Sequence, residues 1–236
     1  MSVHLMFPNF VFTREFCGKD DALEPSMTYE YFDSLKQEID GMRKRDPVGR
    51  VVSNASSGGQ SIVGCDTNPL FIKAMRAIKR TVDNEMMPYL GVKPLTFHTV
   101  MHNSWANIND KGAWNRPHLH NGCFYSGVLY IKADGDEGCI NFIDKDNKIA
   151  GNFPHCPKIK ESKAFFPKTG DLHLFPSGLM HMVEPNTTNK DRYSISFNLN
   201  VETSNNHDNF VDDNHDLHFE ITPDYKLKQK ILTSKE

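Results

Sequence analysis

Residues 170–200 read GDLHLFPSGLMHMVEPNTTNKDRYSISFNLN, and the alternation at the two ends of this stretch sets the expectation for the whole chain. Residues 171–175 alternate as a strand does, Pro176-Ser177-Gly178 turns the backbone, and a further element starts at His181. After a polar loop, the strand predicted over 192–201 sends Arg192, Ser194, Ser196, Asn198 and Asn200 to one side. Tyr193, Ile195, Phe197, Leu199 and Val201 go to the other. A solvated strand would alternate too, so the polar face gains meaning only from a second stretch, Asn115-Arg116-Pro117-His118-Leu119-His120. There Pro117 favours extended backbone, and two histidines two residues apart project from one face. His181 adds a third imidazole from the start of another strand. Three side chains on one face of an ion leave the opposite positions open, the geometry of non-haem iron oxygenases.

Composition narrows the field around that reading. The chain has 236 residues with 27 Lys+Arg against 30 Asp+Glu, a formal net charge of -3, so no basic field points to nucleic acid. Hydrophobic residues make up 38% and aromatics 11%, enough for a packed core. Cys17, Cys65, Cys123, Cys139 and Cys156 are odd in number and show no CxxC spacing, which fits a reduced, cytoplasmic protein better than a disulfide scaffold. Residues 1–12 are fairly apolar, yet they lack a basic leading segment and are too short to span a bilayer.

Working outward, residues 3–12 suggest an edge strand broken at Pro8. A helix is expected over 26–44, capped by Ser26 or Thr28, with Tyr31, Leu35, Ile39 and Met42 at helical spacing and Asp46-Pro47 as its stop. Residues 53–60, SNASSGGQ, form a small-residue connector. A second helix is expected over 70–89, with an apolar stripe of Leu70, Ala74, Ala77, Ile78, Val82 and Met86. Lys73, Arg76, Lys79 and Arg80 then form its solvated face. From residue 95 the period changes to two, with strands over 95–107, 124–132, 139–143, 171–175 and 192–201. Helices followed by a run of antiparallel strands indicate an α+β, mainly β chain with a barrel or sandwich core. After residue 201 the chain turns polar and reads as a surface extension, with 1–201 as a single domain: helices over about 26–92, a β core over about 95–201.

The motifs together carry a family resemblance. W-A-N at 105–107, N-R-P-H-L-H at 115–120, S-G-V-L-Y at 126–130, G-D-L-H-L-F-P-S at 170–177, L-M-H at 179–181, E-P-N at 184–186 and R-Y-S at 192–194 resemble the Fe(II)/2-oxoglutarate-dependent oxygenases. The prolyl-hydroxylase-like branch found in bacteria and phages is the most similar. The resemblance implies a double-stranded β-helix, or jelly roll, with N-terminal buttressing helices. It implies Fe(II), 2-oxoglutarate as co-substrate and O2, with hydroxylation of a small-molecule or protein substrate and release of succinate and CO2. It places His118 and His181 as metal ligands, and Arg192 and Ser194 as the co-substrate anchor, the distance from His181 to Arg192 being 11 positions. Tyr130 and Asn107 are expected to reach the same co-substrate, against ordinary core packing as the alternative for Tyr130. No membrane or nucleic-acid partner is implied, and the oligomeric state is left open.

One position departs from the family pattern. His120 stands where the family carries Asp or Glu. Either His120 ligates iron and the centre holds three neutral imidazoles, or it stands behind the metal and another ligand takes its place. Two other functions therefore stay open: a three-histidine oxygenase that needs no 2-oxoacid, and a metal-binding jelly roll without catalysis. The remaining histidines read as non-ligands. His98 and His102 fall on the face opposite Asn107, His173 reads as a hydrogen-bonded structural residue, and His207, His215 and His218 belong to the polar tail. Residues 53–60 and 145–162 are placed to form a lid.

Overall fold

The computed structural model describes residues 9–17, 24–49, 59–61, 64–92, 97–144 and 162–203. Two helical stretches pack on one of two antiparallel sheets. The first helix, α1, spans Tyr29–Arg45, with the Thr28 side chain accepting from the Tyr31 N–H at its start and Arg43, Lys44 and Arg45 in its last turn. Both ends follow helix physics, since the hydroxyl satisfies an orphan N–H and the basic residues face the negative end of the dipole. Phe32, Leu35, Ile39 and Met42 are its buried face, and burying each is worth about 1.5–3 kcal/mol.

The second stretch differs from the uninterrupted helix expected over 70–89. A 3-10 turn at Pro69–Phe71, capped by Asn68, leads into α2 at Ile72–Thr81. A π-helical turn at Val82–Met86 and α3 at Met87–Tyr89 complete it. Leu70 does not join the stripe, being 51% exposed. Lys79 is buried rather than solvated, its ammonium donating to Asp83 one turn on and to the Thr99 carbonyl oxygen. A buried ammonium is tolerated only when so partnered.

The strands are β1 Phe12–Glu15, β2 Gly59–Gln60, β3 Phe97–Asn109, β4 Asn115–His118, β5 Tyr125–Lys132, β6 Ile140–Ile143, β7 Ser162–Phe165, β8 Asp171–Pro176, β9 Met180–Val183 and β10 Arg192–Thr203. They form a six-stranded sheet ordered β1-β8-β5-β10-β3-β2 and a four-stranded sheet ordered β4-β9-β6-β7. Of the edge strand expected at 3–12 only residues 9–12 are described, and there a strand, β1, runs from Phe12; β10 continues to Thr203, past the expected end of the core. Residues 1–8, most of the 53–60 connector, the 145–161 part of the second lid segment, and the polar tail from 204, with His207, His215 and His218, lie outside the described residues. Of the connector, Gly59 and Gln60 pair with Ile108 and Asn107 of β3.

The alternation of β10 divides the interior. Tyr193, Ile195, Phe197 and Leu199 join the core beneath the helices, together with Leu129, Leu172 and Leu174. A smaller core of Val128, Tyr130, Ile140, Phe142, Phe175 and Leu179 fills the space between the sheets. Gly127 is demanded by the first core, since a Cβ there would stand 2.4 Å from Phe197 Cζ and 2.9 Å from the His173 carbonyl oxygen. No helix among the described residues is long and apolar enough to cross a membrane.

Candidate metal and anion site

Strand register, rather than any loop, assembles the polar side chains between the sheets. In the large sheet, Ser194 lies opposite Asn107 of β3 and Tyr130 of β5, and Gln60 of β2 sits beyond Asn107. One row therefore reads Gln60, Asn107, Ser194, Tyr130. The neighbouring rows are Asn109 with Arg192, Trp105 with Ser196 and Val128, and Asn103 with Asn198 and Ser126. In the small sheet, His118 of β4 is the direct cross-strand partner of His181 of β9. β4 thus pairs with β9, and His120, just beyond its end, faces Asn198 of β10 across the gap.

A pocket between these surfaces is lined by His118, His120, His181, Arg192, Ser194, Tyr130 and Asn107, along with Trp105, Asn109 and Asn115. All seven residues expected from the sequence meet there. One ring nitrogen from each of the three histidines lies within 4.8 Å of the others. Each Nδ1 is engaged away from that cluster. The Nδ1–H of His118 donates to the Arg116 carbonyl oxygen at 2.7 Å, that of His181 to the Leu179 carbonyl oxygen at 2.9 Å, and that of His120 to Asn198 Oδ1 at 2.7 Å. Those bonds fix one tautomer and leave each Nε2 lone pair to the centre. The rings are also packed into place. Phe175 lies 4.8 Å from His181 between centroids, and Trp105 stacks on His120 at 5.9 Å with 17° between planes.

The site holds its imidazoles neutral. Burial lowers the pKa of His118. Burial, then the charge of His118, bring His120 down to about 4, against the bond to Asn198. Burial, then His118, take His181 to about 3. Neutral rings are what a metal requires of histidine, and an imidazole set suits a divalent transition metal.

Arg192 is 1% exposed and has no carboxylate partner among the described residues. Its Nη1 donates to the carbonyl oxygens of Glu137 and Gly138 at 3.0 and 2.8 Å, while its Nε has no hydrogen-bond partner. No Asp or Glu lines the pocket. A buried, permanently charged guanidinium with donors to spare suits an anion that brings its own oxygens. The carbonyls come from a turn that Glu137 ties together, its carboxylate accepting from the N–H groups of Asp134 and Gly135. Ser194 reaches Asn107 Nδ2 at 3.4 Å, and that amide also donates to Ser196 at 3.0 Å. Tyr130 is wholly buried and its pKa is pushed up by that burial, opposed by Arg192.

One expectation is revised and two gaps appear. His173 is buried, but its Nδ1 has no hydrogen-bond partner, because its neighbours on that face are the rings of Tyr130 and Phe165. The reading of His173 as a hydrogen-bonded residue therefore fails for that atom. The 192–198 alternation places Asn198 on the site face, but nothing in the sequence marks it as a partner of His120. The Glu137 turn has no sequence signal at all, since its contribution is two backbone carbonyls.

Comparison with known proteins agrees with this geometry. Residues 103–198 match the family model described as "Putative 2OG-Fe(II) oxygenase", so the resemblance read from the motifs is borne out over that segment. Among curated proteins, none matches this sequence. A prolyl-4-hydroxylase from Pseudomonas putida is similar in fold at 15% identity and a TM-score of 0.52, over 80% of this chain and 91% of that one. A viral collagen prolyl hydroxylase from Paramecium bursaria Chlorella virus-1, solved with 2-oxoglutarate, shares 12% identity with a TM-score of 0.51, over 80% and 94% of the two chains. HygX from Streptomyces hygroscopicus, solved with nickel and 2-oxoglutarate, shares 12% identity with a TM-score of 0.51, over 80% and 82%.

Proposed function

We propose that the protein is an Fe(II)- and 2-oxoglutarate-dependent dioxygenase built on a double-stranded β-helix, which hydroxylates a peptidyl or free amino-acid side chain. The observation that carries this reading is the pairing of three convergent imidazole nitrogens with a buried guanidinium that forms no ion pair among the described residues, in one pocket. His118, His120 and His181 hold the iron, and Arg192 takes the distal carboxylate of 2-oxoglutarate in a two-point grip. When bound, iron and 2-oxoglutarate supply the oxidising chemistry that turns O2 and a C–H bond into a hydroxyl group, succinate and CO2.

The chain's own residues do the rest. The Nδ1–H bonds keep the three rings turned inward before metal arrives, so little reorganisation is left for binding. Ser194, oriented from below by Asn107, offers its hydroxyl beside the guanidinium. Tyr130 stays protonated in its dry setting and is a hydrogen-bond donor to an anion, not a competing charge. Phe175, Val128 and Ile140 line the same pocket and keep water from the reacting centre.

The all-histidine centre favours a second reading, an oxygenase that needs no 2-oxoacid. Arg192 weighs against it, because a buried cation that forms no ion pair among the described residues is suited to an anion that binds in the pocket. An anaerobic titration separates the two. The metal-free protein takes up Fe(II), then 2-oxoglutarate, while the visible spectrum is followed. A charge-transfer band that requires 2-oxoglutarate supports chelation at iron, and its absence with iron bound sinks the proposal. Succinate formation then reports turnover.

A further inference from the structure

The structure assigns Asn198 as the positioning residue that makes His120 a metal ligand, through a row of neutral side chains running across three strands. This deepens the reading of the site given above and rests on it. His118 and His181 belong to paired strands, so backbone hydrogen bonding fixes where their side chains begin. His120 lies beyond the end of β4 and lacks that support. Its backbone N–H is held by the Ser177 carbonyl oxygen at 2.9 Å, and its ring is held by Asn198 Oδ1 at 2.7 Å.

Asn198 is itself fixed from both sides. Its Oδ1 also accepts from the Ser126 hydroxyl at 2.7 Å, and its Nδ2 donates to Asn103 Oδ1 at 2.7 Å. Ser126 and Ser177 share a hydroxyl contact at 2.8 Å, so the turn that holds the His120 backbone also joins the row. Asn198, Ser126 and Ser177 are all buried, at 6, 1 and 1% exposure. A buried amide must satisfy both its ends. Because Nδ2 is spent on Asn103, Oδ1 is left for His120, and an acceptor there requires the proton on Nδ1. The lone pair on Nε2 then faces the other two imidazoles. Trp105 stacks on the ring and limits its rotation.

This arrangement explains how a histidine functions where the family pattern carries a carboxylate. An Asp or Glu needs no tautomer, whereas an imidazole ligates through one nitrogen only when the other is held. The partners that hold metal-bound histidines are typically worth about 10- to 100-fold in metal affinity. Asn198 sits six residues beyond Arg192 on the same face of β10, so one strand carries both the anion anchor and the support of the unusual ligand.

The test is Co(II) affinity by chelator competition, with the visible d–d spectrum as a readout of coordination, on the full chain. Asn198→Leu, nearly isosteric and without an acceptor, is expected to bind Co(II) about 10- to 100-fold more weakly with an altered spectrum. Asn198→Asp keeps an acceptor toward His120 and is expected to recover affinity to within a few-fold of the native chain. A merely structural asparagine would show no such rescue. A cycle with His120→Ala keeps the idea refutable even if Asn198→Leu unfolds more readily. In the His120→Ala background, Asn198→Ser should leave Co(II) affinity unchanged, since Asn198 acts through that ring. Native-like affinity and spectrum in Asn198→Leu would overturn the assignment, as would an equal deficit in Asn198→Asp. A native chain that binds no Co(II), or a His118→Ala chain that binds it as well as native, would overturn the metal site itself and the assignment with it.

Discussion

Replacing Arg192 by methionine tests the electrostatics of the site most directly. Methionine keeps most of the buried volume and removes the charge. In the native chain the guanidinium is 1% exposed and pinned at Nη1 by two carbonyl oxygens, with the Glu137 carboxylate acting on it from a distance but no ion pair among the described residues. Much of its attraction is therefore left for an anion that reaches it directly. Truncating one partner of a buried, hydrogen-bonded charge pair costs about 2–5 kcal/mol, which at about 1.4 kcal/mol per decade is roughly a 30- to 4,000-fold loss of affinity. The assay is anaerobic calorimetry of Fe(II)-loaded protein at one ionic strength, using 2-oxoglutarate and 2-oxobutyrate, which lacks the distal carboxylate. Arg192→Met is expected to weaken 2-oxoglutarate by at least about 30-fold. Its effect on 2-oxobutyrate should be small or favourable, because that ligand leaves the guanidinium buried and unpaired. Equal losses for the two ligands would refute the reasoning, since the arginine would then be supporting the pocket and not reading a carboxylate.

Three further outcomes follow from particular contacts. Glu137→Ala removes the carboxylate that accepts from the Asp134 and Gly135 N–H groups and so ties the turn whose Glu137 and Gly138 carbonyls hold Arg192. 2-Oxoglutarate affinity should fall about tenfold, the value of one buried hydrogen bond, with Fe(II) affinity unchanged; an equal loss of both would point to general unfolding. His173 is 4% exposed, and burial holds its pKa at about 4. The unfolded chain takes up this proton below about pH 6.5 while the folded chain does not, so the contribution is whole above 6.5 and shrinks as pH falls toward 4. Urea unfolding at pH 7 and 5 should show His173→Phe losing about 2 kcal/mol less than the native chain between those pH values, and parallel losses would contradict a buried neutral ring. Gly127→Ala drives a methyl into Phe197 and should cost about 1–3 kcal/mol in thermal unfolding, with no change expected only if the ring can swing away.

What the sequence made legible was whatever depends on period and order. The two-residue alternation of 192–200 survives in the structure as the division between a polar site face and the core beneath the helices. His118, His120 and His181 meet because β4 pairs with β9 and the turn at Ser177 captures the residue beyond β4. What stayed illegible depends on contacts that carry no residue signature. Lys79 shares the helical phase of a surface stripe, and only its tertiary partner, the Thr99 carbonyl oxygen of β3, accounts for its place inside. Glu137 acts through the carbonyls that its turn presents. His173 sits at a strand position where alternation predicts a side chain facing the inter-sheet space, but not that its neighbours there would be rings with no acceptor to offer.

If His120 ligates the metal as proposed, the consequences reach beyond one coordination position. With three neutral imidazoles a divalent metal would keep its whole charge, and Arg192 adds another unit in the same dry pocket, which no Asp or Glu lines. Like charges in such a setting repel more strongly than in water. On the proposed reading a metal and the guanidinium would therefore oppose each other until a dianion satisfied both. Binding of 2-oxoglutarate and retention of iron would then be coupled, and by thermodynamic reciprocity each would tighten the other by the same factor. The neutral row of Asn103, Asn198 and Ser126 fits this logic, since it orients His120 without adding negative charge to the pocket.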